Sequence, residues 1–131
     1  MSRASAKDVI TAAQRGDASL REKLGAFCRV ATSRAYEKDL VSIVKALRDT
    51  QRFEMAIKPQ RLLVEVTSAR PGDEAHRTLI WLLAKVGTKT GDMAAARVEF
   101  VRFQGEVALN RKANLQPALD RLRKEFPGLQ A

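Results

Sequence analysis

The sequence predicts an all-α protein, a compact single-domain bundle of about five to seven helices over residues 1–131, with loose ends at 1–4 and 127–131. Three observations predict it. Apolar residues recur at intervals of three and four through nearly the whole chain, as one buried face of a helix requires. No Asn-Gly or Asp-Gly pair sits between alternating runs, so no tight hairpin is encoded. At 131 residues with 45% hydrophobic content, the chain suffices for one real core and is too short for two comfortable ones.

The first helix is expected from Ala6 to Gln14, with Ser5 as N-cap, Asp8 completing a capping box and Gly16 as the stop. Asp17 caps a second helix in which Leu20, Leu24, Phe27 and Ala31 keep to one face. Thr32 and Ser33 start a third, running to about Arg52. The fourth begins near Lys58, because Pro59 suits a first helical turn, and stops before Pro71. Within it LLVEVT alternates like a strand, but no other segment offers it a partner, so it reads as helix.

Asp73 caps a fifth helix whose Ala75, Leu79, Leu82, Leu83 and Val86 share a face, widened by Ile80 and Trp81. GTKTG, Gly87 to Gly91, reads as a solvated turn. Asp92 opens the sixth helix, where Met93, Ala96, Phe100, Phe103 and Val107 form a buried stripe, so both phenylalanines are core. Gly105 marks either a close helix approach or a tolerated imperfection. A last helix runs from about Pro117 to Phe126.

Charge points to a partner. The formal net charge is +9, with 13 basic and 8 acidic residues through position 65 and 11 and 7 after it. No detachable tail carries the excess, so it lies on folded surface, where it suits a polyanion such as nucleic acid. On a wheel at 100° per residue, Arg34, Lys38, Lys45, Arg48 and Arg52 share one side of the expected third helix, opposite Tyr36, Leu40, Ile43, Val44 and Leu47. Such a row extends about 27 Å, enough to follow several phosphates.

Catalytic and metal motifs are thin. GDEAH at 72–76 imitates a helicase box, but no phosphate-binding loop of the required spacing accompanies it, and Asp73 and Glu74 suit a helix start. His76 and Cys28 are each unique, and Cys28, beside Phe27, reads as a small core residue. The expectation is a non-enzymatic protein with no cofactor and no metal. One cysteine excludes an internal disulfide, and no secretory or membrane-spanning stretch is present, so a cytoplasmic setting is expected.

Three segments carry a family likeness. ATSRAY at 31–36 has Thr32 and Ser33 opening a helix, with Arg34 or Lys38 supplying a charge where Tyr36 stands. KPQRLLVEVTSAR contributes Lys58, Pro59, Arg61 and Arg70, with Val64 and Ala69 in place of an aromatic and a glycine. FVRFQGEVALNRK contributes Phe100, Phe103, Val107, Ala108 and Lys112, with Leu109 in place of a tyrosine. Together, over roughly residues 25 to 112, the chain resembles the small all-helical subunit of type III (Csm-type) CRISPR effector complexes. The resemblance implies a non-catalytic RNA-binding protein of antiviral defence that stacks with other copies of itself along the backbone and large subunits. Its basic faces would then follow the guide RNA and its paired target, contacting phosphates and not bases.

The residues expected to bind RNA are Arg34, Lys38, Lys45, Arg48 and Arg52 from the stripe, Lys58, Arg61 and Arg70 from the resemblance, and Arg111 and Lys112 beside them. The apolar surface around Trp81 is either core or a seat for partner subunits. Two other classes stay open: a stand-alone DNA-binding protein of helix-turn-helix or nucleoid type, and an adaptor for an acidic protein.

Overall fold

A computed structural model of the chain describes residues 5–110 and 113–130. The fold is all-α, with seven α-helices and no strand among the described residues. The helices group into two compact units, one ending at Ser68 and the other beginning at Ala69.

In the first unit, α1 spans Ala6–Arg15, α2 Leu20–Val30, α3 Glu37–Asp49 and α4 Phe53–Val66, with a 3₁₀ turn at Arg34–Tyr36. The capping box is present: Asp8 N–H donates to Ser5 Oγ at 3.1 Å, and Ser5 N–H to Asp8 Oδ2 at 3.3 Å. Gly16 closes α1 at φ +65°, a left-handed conformation that glycine adopts cheaply. Asp17 caps no helix end directly; its carboxylate accepts from Ser19 N–H and Oγ–H, both at 2.8 Å, and α2 starts at Leu20. Helix α3 lies against both α4 and α1, and buries Leu40, Ile43 and Leu47 completely.

Two further expectations about this unit are corrected. The third helix does not run from 32 to 52, because Gln51 turns left-handed at φ +61° and Arg52 N–H reaches back to the Leu47 carbonyl at 2.7 Å. That is a helix-ending geometry usually reserved for glycine, so no glycine announced it. The fourth helix begins at Phe53 and holds Pro59 in its interior, where the missing N–H leaves the Met55 carbonyl without its helical donor. Burial of Ala56, Pro59, Gln60 and Leu63 along one face offsets that cost of about 3 kcal/mol. LLVEVT is helical, as expected.

In the second unit, α5 spans Glu74–Thr90, α6 Ala94–Leu109 and α7 Gln116–Glu125, with 3₁₀ turns at Ala113–Leu115 and Pro127–Gln130. Helix α5 packs on α6, and α6 on α7 and the final turn. GTKTG is not a turn: its first four residues finish α5, and Gly91 at φ +83° stops the helix. Gly87 is needed for space, since a Cβ there would sit 2.6 Å from the Asp92 carbonyl oxygen. Asp92 Oδ1 accepts from Ala94 N–H at 3.0 Å, and Ala96, Phe100, Phe103 and Val107 are buried as the wheel required. Residues 127–130 are not loose, because Leu129 is buried at 4% exposure; residues 1–4 and 131 lie outside the described residues.

Candidate nucleic-acid interface

The outer face of α3 is the most cationic helix surface among the residues singled out above. Lys38, Lys45 and Arg48 are exposed on it, and Leu40, Ile43, Val44 and Leu47 face the core. At 100° and 1.5 Å per residue, the three cations fall within about 80° and span about 15 Å of helix axis. Ser42 and half-exposed Val41 lie between them, and Asp39 and Asp49 border them. Lys45 Nζ sits 3.3 Å from Asp49 Oδ2, with both side chains largely in solvent. Such a pair is worth less than about 1 kcal/mol, so a phosphate can compete for the ammonium.

The structure parts the other two members of the expected row from these three. Arg34 precedes α3 in the 3₁₀ turn and pairs with Glu37 at 3.4 Å. Arg52 lies beyond the α3 terminus; its Nη1 donates to the Ala13 carbonyl at 2.9 Å, satisfying one of the acceptors left open at the end of α1. Its guanidinium is half-buried, which makes it a structural cap. The row of five on one rod is therefore a row of three, because the chain leaves the helix at both ends.

Lys58 and Arg61 are exposed on α4 but stand between exposed Glu54 and Glu65, so that face carries mixed charge. Arg70, in the second unit, donates its backbone N–H to Asp73 Oδ2 at 2.8 Å and places Nε 3.9 Å from Glu106 Oε1. Arg111 and Lys112 lie outside the described residues.

His76 is 2% exposed. Its Nδ1 accepts the Gly72 N–H at 3.0 Å, so in the neutral ring Nε2 carries the proton and donates to Glu99 Oε1 at 2.9 Å. Arg102 approaches the same carboxylate oxygen at 3.0 Å. This network ties the loop before α5 to α6. Cys28 is buried, which pushes its thiol up, with Lys58 pulling slightly the other way; a thiol so placed is a poor nucleophile. Among the described residues, no three His, Cys, Asp or Glu side chains gather where they could hold a metal ion.

Trp81 is half-buried, donates Nε1–H to Glu125 at 2.8 Å, and meets the Phe126 ring edge-on at 6.3 Å. The exposed apolar surface lies elsewhere, on α6, where Val98, Val101 and Leu109 are 60%, 59% and 83% exposed. These residues lie on the side of α6 opposite the stripe that the helical wheel assigns to the core. No helix among the described residues is long and apolar enough to cross a membrane. No family model matches the chain, and no curated protein or solved structure matches it either.

Proposed function

We propose that this chain is a non-catalytic, nucleic-acid-binding helical subunit that follows an RNA backbone with the outer face of α3, in the manner of the small subunit of a type III RNA-guided effector complex. The observation that carries the reading is the set of Lys38, Lys45 and Arg48, exposed together on a helix whose other side is sealed in the core. The charge balance supports it, since +9 is divided between both halves of the sequence and is not confined to a tail. The sequence likeness at 31–36, 58–70 and 100–112 supplies the RNA-guided context. Arg34 at the entry to α3 adds a fourth cation able to exchange Glu37 for a phosphate.

A filter-binding titration of single-stranded RNA and duplex DNA at two salt concentrations tests the proposal. Replacing Lys38, Lys45 and Arg48 by glutamate is expected to abolish retention at moderate salt, and replacing them by alanine to flatten the log–log salt slope for RNA by about 2. Retention that survives the glutamate variant overturns the assignment of this face. Tighter binding of duplex DNA than of RNA by the isolated chain favours a stand-alone DNA-binding protein instead.

A further inference from the structure

Helix α6 carries two rows of apolar residues with heptad spacing. The inner row, Ala96, Phe100, Phe103 and Val107, advances by four and three and fills the core, with half-buried Met93 just ahead of the helix. The outer row, Ala94, Val98, Val101, Gly105 and Ala108, advances by four and three, the spacing of the a and d positions of a coiled coil. Ala94, Val98, Val101 and Ala108 are exposed, and apart from its chain neighbours and the helix's own backbone nothing lies within 4 Å of where a Cβ on Gly105 would stand. Three of the four large apolar residues exposed among the described residues belong to this one helix. A helix apolar on both sides is normally covered on both. Residues as small as alanine, glycine and valine let a neighbouring helix approach to the short end of the usual 8–10 Å range.

The charges flanking the outer row select its occupant. Arg102 borders one side with its side chain 58% exposed. Arg97 and Gln104 border the other, where Arg97 Nε holds the Gly128 carbonyl at 2.8 Å. Beyond Gln104 a shallow depression of about 460 Å³ is lined by Val101, Gln104, Arg123, Leu129 and Gln130; its cation, Arg123, is paired with Asp120 at 3.3 Å, so Arg97 and Arg102 supply the main border charge. Both acids of α6 are withdrawn: Glu99 and Glu106 are 12% and 13% exposed and face His76, Arg102 and Arg70. The row is thus apolar with basic borders.

We propose that the outer face of α6 docks a single amphipathic helix of a protein partner, one with small or aliphatic residues at a and d and acidic residues at the flanking e and g positions. Flanking charge decides the choice of partner in such pairings. A second copy of α6 would set arginine against arginine, which disfavours self-pairing through this face. The partner helix needs about 16 residues to run the length of α6, roughly 24 Å.

The test uses the full chain and two fluorescein-labelled synthetic helices of about 18 residues, alike at a and d with leucine and alanine, one with glutamate and one with lysine at e and g. Fluorescence anisotropy is expected to show binding of the glutamate peptide and at least about tenfold weaker binding of the lysine peptide. The Val98→Glu, Val101→Glu double variant is expected to keep its thermal melt, since both sites are exposed, and to lose about tenfold or more in affinity. Arg102→Glu is expected to narrow or reverse the preference between the peptides. No binding to the unmodified chain, or equal binding to the double variant, overturns the proposal. Sedimentation showing a dimer that the double variant abolishes overturns it in favour of a second copy.

Discussion

Helices α3 and α6 bury one side in the same way and differ in what they leave outside. Helix α3 turns Leu40, Ile43, Val44 and Leu47 inward and Lys38, Lys45 and Arg48 outward, while α6 turns Ala96, Phe100, Phe103 and Val107 inward and Val98, Val101 and Leu109 outward. The inner sides are interchangeable in purpose: both remove apolar surface from water. The outer sides differ in chemistry, one cationic and the other apolar. A cationic face attracts a polyanion through long-range charge and is weakened by salt. An apolar face acts only on contact and gains from complementary shape and flanking charge.

The sharpest way to separate inner from outer is to truncate one residue of each on the same helix. Phe103→Ala, at a fully buried site, is expected to cost about 3–5 kcal/mol in urea unfolding. Val101→Ala, at 59% exposure, is expected to stay within about 0.5 kcal/mol. Similar losses for the two would erase the distinction. Next comes Arg52, the residue that left the cationic row. Arg52→Ala removes a charged hydrogen bond to the Ala13 carbonyl and is expected to cost about 1.5 kcal/mol of stability while leaving RNA retention unchanged. A loss of retention at unchanged stability would return Arg52 to the binding face.

Glycine substitutions give a smaller contrast. Gly87→Ala forces a Cβ against the Asp92 backbone and is expected to destabilise by about 1 kcal/mol or more. Gly105→Ala meets nothing and is expected to stabilise by up to about 1 kcal/mol through helix propensity alone. Thermal melts of the two variants should therefore move in opposite directions. Of the two readings left open for Gly105, the described residues of this chain hold no close approach there.

The smallest effect concerns the capping box of α1, a device that neither α3 nor α6 possesses. The Ser5 backbone N–H first, and the Ser5 hydroxyl second, hold the Asp8 carboxyl below its ordinary value of 3.8. A carboxyl depressed in the folded state stabilises above its unfolded value and loses that contribution as pH falls through the lower, folded one. The Ser5 and Asp8 amide signals are therefore expected to hold steady down to about pH 4 and to shift only below it. Movement of the Ser5 amide near neutral pH would exclude the carboxylate as its partner.

What was legible in the sequence depended on local signals. The α1 boundaries followed from Ser5, Asp8 and Gly16, each of which acts within one turn of itself. The buried stripes of α2, α3 and α6 followed from spacing, because a helix presents every third or fourth residue to the same neighbour. Less legible were the ends set by unsignalled residues: Gln51 in a left-handed turn closed α3 early, and Pro59 did not open α4. The misplaced α3 terminus is also why Arg52 was assigned to the binding row.

By itself, then, the order of amino acids determined that this chain is helical, which residues of each helix face inward, and that its excess charge is cationic and spread along its length. Those properties are short-range or additive. Only the tertiary arrangement decided that Arg52 caps α1, that Glu99 and Glu106 turn away from the outer row of α6, and that no neighbour among the described residues covers Val98 and Val101. A side chain's partner can lie 39 residues away, as Ala13 does from Arg52, and no periodicity reaches that far.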